Sequence, residues 1–146
     1  MLFTEVVDRY GGTFGAFMGR ALEEESDARA GFARMLREAA TSYTDPDHPA
    51  GCLVITAAIS YSTQTADVER DLRERRVANV RDFEKRLADA EKVGALPEGV
   101  EPRALAVYFA AVVQGMSQQA RDGASAAQLE RVAELAMSVW PVQKGA

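Results

Sequence analysis

Leu96-Pro97, then Pro102-Arg-Ala-Leu-Ala-Val-Tyr-Phe-Ala-Ala-Val-Val-Gln-Gly-Met116, then Ala120-Arg-Asp-Gly-Ala-Ser125 and finally Trp140-Pro141 form the stretch that decides the fold, because they mark both ends of two consecutive helices. Proline suits the first turn of a helix, where its missing N–H costs nothing, so Pro102 reads as a start. Glycine suits the left-handed position just past a helix end, so Gly123 reads as a stop. Ser125-Ala-Ala-Gln128 has the spacing of a capping box, and Pro141 ends the second helix after Trp140. Two amphipathic helices joined by so short a turn pack antiparallel.

Upstream, apolar residues recur with the helical period at Phe3, Val6, Val7, Tyr10, Phe14, Phe17, Met18 and Ala21, which predicts a first helix from Leu2 to about Leu22. Gly11, Gly12, Gly15 and Gly19 oppose it at about 1 kcal/mol each relative to alanine, so this helix depends on tertiary packing and bends or breaks near Gly11-Gly12. Glu23 to Asp27 is a polar, solvated break. A second helix presents Phe32, Leu36, Ala39 and Tyr43 on one face. Thr44-Asp-Pro-Asp-His-Pro49 is a loop by its turn chemistry. From Ala50 to about Ser62 the chain is apolar on nearly every side, which predicts a third helix at the centre of a bundle. Thr65 to Val93 forms the longest helix, burying Leu72, Val80, Phe83, Leu87 and Ala90, with Glu69–Arg73, Asp71–Arg75 and Asp82–Arg86 as supporting pairs four residues apart. No segment alternates as a strand does. The fold class is therefore all-α, a bundle of about six helices forming a single domain over residues 1–146.

At 146 residues the chain can bury a sizeable core. Its 17 basic and 22 acidic residues leave a formal net charge of -5, which argues against a strong phosphate-gripping surface. One cysteine, Cys52, allows no intramolecular disulfide and suits a reducing cytoplasm. The apolar run Cys52 to Ile59 is too short to span a bilayer, and Leu2 to Tyr10 carries Glu5, Asp8 and Arg9 among its apolar residues and so does not read as a signal peptide.

The candidate chemistry is sparse. His48 with Asp45 and Asp47 has metal-binding side chains, but they crowd one proline-rich turn, where an Asx-turn or helix cap is the better account. No local motif joins His48 to Ser60, Ser62 or Cys52 as a nucleophile and base. Cys52 reads as a small buried apolar residue, the alternative being a thiol activated at a helix start. Arg73, Arg75, Arg76, Arg81, Lys85 and Arg86 alternate with Glu74, Asp82 and Glu84 and read as an exposed mixed-charge face. No metal and no cofactor is expected.

Two faces carry more information. Phe14, Phe17, Met18, Met35, Ile55, Ile59, Phe83, Leu87, Tyr108, Val112 and Met116 are placed to converge between helices, either as a pocket for an apolar small molecule or as a packed core, and Tyr61, Tyr108 or Gln114 would be the polar anchors of a pocket. Periodicity does not separate those two readings. The second face comprises Gly115, which permits close backbone approach, Gln118 and Gln119, and the stripe Leu129, Val132, Ala133, Ala136 and Trp140. A two-helix hairpin with that much apolar surface needs a cover, and an isologous four-helix contact between two copies supplies it.

The helix signals from Val113-Gln-Gly-Met116 to Ala120-Arg-Asp-Gly-Ala-Ser125, in order after His48-Pro-Ala-Gly-Cys-Leu53, resemble the C-terminal ligand-binding and dimerisation domain of TetR-type bacterial transcriptional regulators, over about Leu2 to Pro141. The resemblance implies a homodimer through the last two helices and a small-molecule effector between helices. It also implies a repressor mechanism in which the effector changes the spacing of two DNA-reading heads. Family members begin with a helix-turn-helix head, whereas Met1 to Tyr10 resembles the helix that follows it. The expectation is thus a cytoplasmic, non-enzymatic sensing and dimerisation domain, with neither nucleic acid nor membrane as a direct partner. The alternatives are a small helical enzyme or carrier using the same cavity, and a pure dimerisation module with a filled core.

Overall fold

The computed structural model describes residues 5–6, 8–9, 16–56 and 66–142. Six α-helices are described as continuous elements: α1 (Phe17–Glu24), α2 (Ala28–Tyr43), α3 (Leu53–Thr56), α4 (Ala66–Lys92), α5 (Pro102–Arg121) and α6 (Ala126–Ala136), the last followed by a 3-10 turn, Met137–Val139. Glu5, Val6, Asp8 and Arg9 are helical too. The described residues contain no strand. Gly11, Gly12 and Gly15, where a bend was expected, lie outside the described residues.

The helix ends follow their sequence signals. The Asp27 carboxylate caps α2 by accepting from the Ala30 N–H at 3.1 Å. Pro102 opens α5. Ser125 and Gln128 close a reciprocal capping box on α6, and Gly123 takes φ +101° in the turn between α5 and α6. The two helices run antiparallel: the Tyr108 hydroxyl, near the start of α5, donates to the Ala136 carbonyl at the end of α6, 2.7 Å away.

The centre of the bundle is α2, which packs against α1, α4, α5 and α6. Phe32, Met35, Leu36, Ala39, Ala40 and Tyr43 on it are all fully buried. Phe32 stacks on Phe109 with ring centres 4.6 Å apart and meets Phe83 edge-on at 5.6 Å. The Trp140 ring lies 6.1 Å from Phe32, its indole N–H donates to the Ala95 carbonyl, and its own carbonyl accepts from Arg29. Burying that aromatic group of three helices and the chain's end is the main adhesive of the fold, since each such ring is worth about 3–5 kcal/mol against alanine.

The structure corrects four expectations. The Ala50–Ser62 helix is not central in its described part: Leu53, Val54 and Ile55 are half-buried against α4 and α5, and residues 57–62 lie outside the described residues. Val80 is half-buried, because the inward stripe of α4 runs through Leu72, Phe83, Leu87 and Ala90. Asp82 and Arg86 do not pair. Arg86 instead donates to the carbonyls of Leu22, Glu25 and Ser26, satisfying the open C-terminal end of α1. Finally, Leu129, Ala133, Ala136 and Trp140 are buried inside the protomer, against α2 and its neighbours, and are not available to a second chain. The expected pairs Glu69–Arg73 and Asp71–Arg75 are present at 3.9 and 3.2 Å.

Candidate functional site

Three residues at spacing i, i+3, i+7 put Arg76, Asn79 and Phe83 on one face of α4, and Ala110, Val113 and Gln114 share one face of α5. These faces enclose a cleft with Met18 of α1, Cys52 and Ile55. Its floor is apolar and its polar groups come from two helices. The cleft measures about 20 Å³, room for a single water. Two larger depressions of about 390 Å³ are open to solvent, one at the Gly94–Glu101 turn and one along α1 and α2. The latter is lined by carboxylates and guanidinium groups, and its Arg34 already binds Glu24, Glu25 and Glu38 at 2.9, 3.3 and 2.9 Å.

A tight turn positions the near wall of the cleft. Gly51 adopts φ +83°, and a Cβ there would sit 2.8 Å from the Ser117 carbonyl oxygen and 2.9 Å from its hydroxyl. Only glycine fits both the dihedral and the space. The Gly51 N–H donates to the Tyr43 carbonyl at 2.9 Å, and the Cys52 N–H donates to the fully buried Ser117 hydroxyl at 2.6 Å. Arg76 fixes the same region from α4 by donating to the Val54 carbonyl at 2.8 Å. Its other end lies 3.7 Å from Glu69, which also stands 3.9 Å from Arg73, so neither ion pair has hydrogen-bond length. The side-chain amides of Asn79 and Gln114, both half-buried, have no hydrogen-bond partner among the described residues.

Of the residues expected to line a pocket, the structure brings together Met18, Ile55 and Phe83, with Gln114 from the expected anchors. Phe17 points elsewhere: it lines the open α1/α2 groove and meets Tyr43 edge-on at 5.9 Å. Met35, Leu87 and Met116 are core, and Val112 yields its place to Val113. Tyr108 faces α6, and burial pushes its phenol above the ordinary value of 10.0. Phe14, Ile59 and Tyr61 lie outside the described residues. Sequence reading missed Arg76 and Asn79, which it had assigned to an exposed charged face or passed over; their spacing to Phe83 was the available signal.

Cys52 is buried at 4 % exposure. The His48 ring lies 4.0 Å from Asp45, whose other oxygen accepts from the Asp47 N–H at 2.9 Å in an Asx-turn. No group of three His, Cys, Asp or Glu side chains among the described residues is placed to hold a metal ion. No described helix is long and apolar enough to cross a membrane.

On the outer face, Gly115, Gln118 and Gln119 of α5 are exposed. Val107 on α5 and Val132, Leu135 and Val139 on and after α6 keep 48, 39, 55 and 43 % of their surface accessible. Leu135 and Val139, which sequence reading did not single out, take the place of the buried Ala133 and Ala136 on this face.

Residues 31–136 match the family described as tetracyclin repressor-like, C-terminal domain. The HTH-type transcriptional repressor ComR of Escherichia coli (strain K12) is 30 % identical over 141 residues, covering 96 % of this chain and 67 % of ComR. Two solved structures of cysteine mutants of the TetR family transcriptional regulator CifR, each complexed with 26-bp double-strand operator DNA, superpose with a TM-score of 0.89. They are 31 and 32 % identical, and in both the match covers 96 % of this chain and 73 % of the CifR chain.

Proposed function

The chain belongs to the TetR family of transcriptional regulators through that family's C-terminal domain, and from this premise we propose that its 146 residues form an effector-sensing and dimerisation domain acting in the cytoplasm. The effector is a small molecule with an apolar body, held between α1, α3, α4 and α5. The observation that carries the sensing half is the cleft itself, where the amides of Asn79 and Gln114, from two helices, converge over an apolar floor without hydrogen-bond partners among the described residues. Dimerisation rests on Val132, Leu135 and Val139, exposed at i, i+3 and i+7 on and after α6, with Val107 and Gly115 exposed on α5, apolar surface that two copies bury at once around a two-fold axis.

The net charge of -5 supports a domain that senses and pairs and does not itself grip DNA. A second reading, a dimerisation module with a filled core, is favoured by the 20 Å³ volume of the cleft. On the sensing reading a ligand enters by displacing Met18 and Ile55, whose side chains are only half-buried.

Thermal-shift screening with apolar aromatic and aliphatic compounds separates the two. A ligand at a hundred times its Kd adds about 2.7 kcal/mol to folding stability, and hits must weaken in Phe83→Ala. Absence of any stabilising compound, or hits indifferent to Phe83→Ala, leaves the filled-core reading standing.

A further inference from the structure

We propose that the effector carries a carboxylate, seated against Arg76, Asn79 and Gln114 with its hydrocarbon part on Met18, Ile55, Phe83 and Val113; this deepens the sensing reading above and rests on it. The guanidinium has five N–H donors in a planar fork, and among the described residues only one hydrogen bond, to the Val54 carbonyl, occupies it. Glu69 answers its charge only loosely, at 3.7 Å, and divides itself with Arg73. Asn79 lies one turn along α4 from Arg76, and Gln114 enters from α5, each bringing an NH₂ donor with no hydrogen-bond partner among the described residues. One cation and two amides around one apolar floor present more donors than acceptors. A planar two-oxygen anion is the head group that satisfies such a set, because a guanidinium binds it through paired parallel hydrogen bonds. A cationic head meets Arg76 with like charge, and a pure hydrocarbon leaves the Asn79 and Gln114 amides dehydrated and unpaired and most of the Arg76 donors unused.

The test is isothermal titration of the intact chain at neutral pH with three matched series. These are straight-chain carboxylates from acetate to octanoate plus benzoate and cinnamate, the corresponding amides, and the corresponding amines. Arg76→Met, Gln114→Leu and the distant surface variant Arg103→Met accompany the unaltered protein, with Trp140 fluorescence and the melting transition as checks that each is folded. The expected result is binding by at least one carboxylate, with its amide and amine at least tenfold weaker. Arg76→Met and Gln114→Leu each lose at least tenfold in affinity, and Arg103→Met stays within twofold. Should Arg76→Met fail to fold, Gln114→Leu and the amide series carry the decision. Carboxylate binding unchanged in both cleft variants is surface adsorption and overturns the proposal. Amides or amines that bind more tightly than carboxylates, with loss in Phe83→Ala, overturn the carboxylate head while leaving the sensing reading intact. No binding by any series, together with no hit in the apolar screen, overturns both.

Discussion

Gly51 and Ser117 hold one contact between them, and each can be removed without touching the aromatic core. Alanine at position 51 would force a left-handed backbone on a residue with a Cβ and drive that carbon to 2.8 Å from the Ser117 carbonyl. Gly51→Ala should therefore cost about 1–3 kcal/mol. Ser117→Ala strips the Cys52 N–H of its acceptor inside the protein and should cost about 1–3 kcal/mol as well. Urea unfolding followed by Trp140 fluorescence measures both, and the double variant should fall short of the sum because the two changes break the same contact. Tyr108 gives a pH signature. Burial favours its neutral phenol, so the folded chain holds that proton more tightly than the unfolded chain does. Stability from this group is present below the ordinary phenol value of 10.0 and is lost as pH rises through the higher folded value. Tyr108→Phe should be less stable at neutral pH, for want of a donor to the Ala136 carbonyl, and its melting temperature should decline less steeply above pH 10.0.

At the scale of the helix, α6 is apolar on two sides, and this is where sequence reading and structure part. Leu129, Ala133 and Ala136 turn inward to α2, while Val132, Leu135 and Val139 turn outward. Period 3.6 identifies an amphipathic helix but does not say which apolar side meets its own fold and which meets a second copy. Ends and periods were legible because they are local: Pro102, Gly123 and the Ser125–Gln128 box act through backbone groups a few residues away. The cleft was legible in Met18, Ile55, Phe83 and the anchor Gln114, and not in Arg76 or Asn79. Arg76 looked solvated in a run of alternating charge, and only the arrival of Val54 from another element draws it inward. The two sides of α6 predict opposite outcomes for arginine. Ala133→Arg places a cation in the core and should unfold the protein or lower its melting temperature sharply. Leu135→Arg, at a half-exposed site, should leave the melting of the protomer nearly unchanged while weakening self-association at least tenfold, read by sedimentation equilibrium. A similar opposition holds in α5, where a Cβ at Gly115 meets open space within the protomer. Gly115→Ala should gain about 1 kcal/mol of helix stability and still weaken the dimer, if two α5 helices approach closely there.

For the molecule as a whole, α5 is the element common to both halves of the proposed function. It gives Ala110, Val113 and Gln114 to the cleft and Gly115, Gln118 and Gln119 to the outer face, so on the proposed function a ligand that shifts α5 would be felt where two chains meet. Linkage makes this reciprocal: an effector that changes dimer affinity by some factor must itself bind monomer and dimer with affinities differing by a corresponding factor. The most direct measurement is a crystal structure of the chain with the compound that raises its melting temperature most. The account predicts a two-fold dimer joined through Val107, Val132, Leu135 and Val139, with ligand density in each protomer between Arg76, Asn79, Gln114 and Phe83. A dimer joined elsewhere, or a ligand bound outside a cleft still closed by Met18 and Ile55, would contradict it.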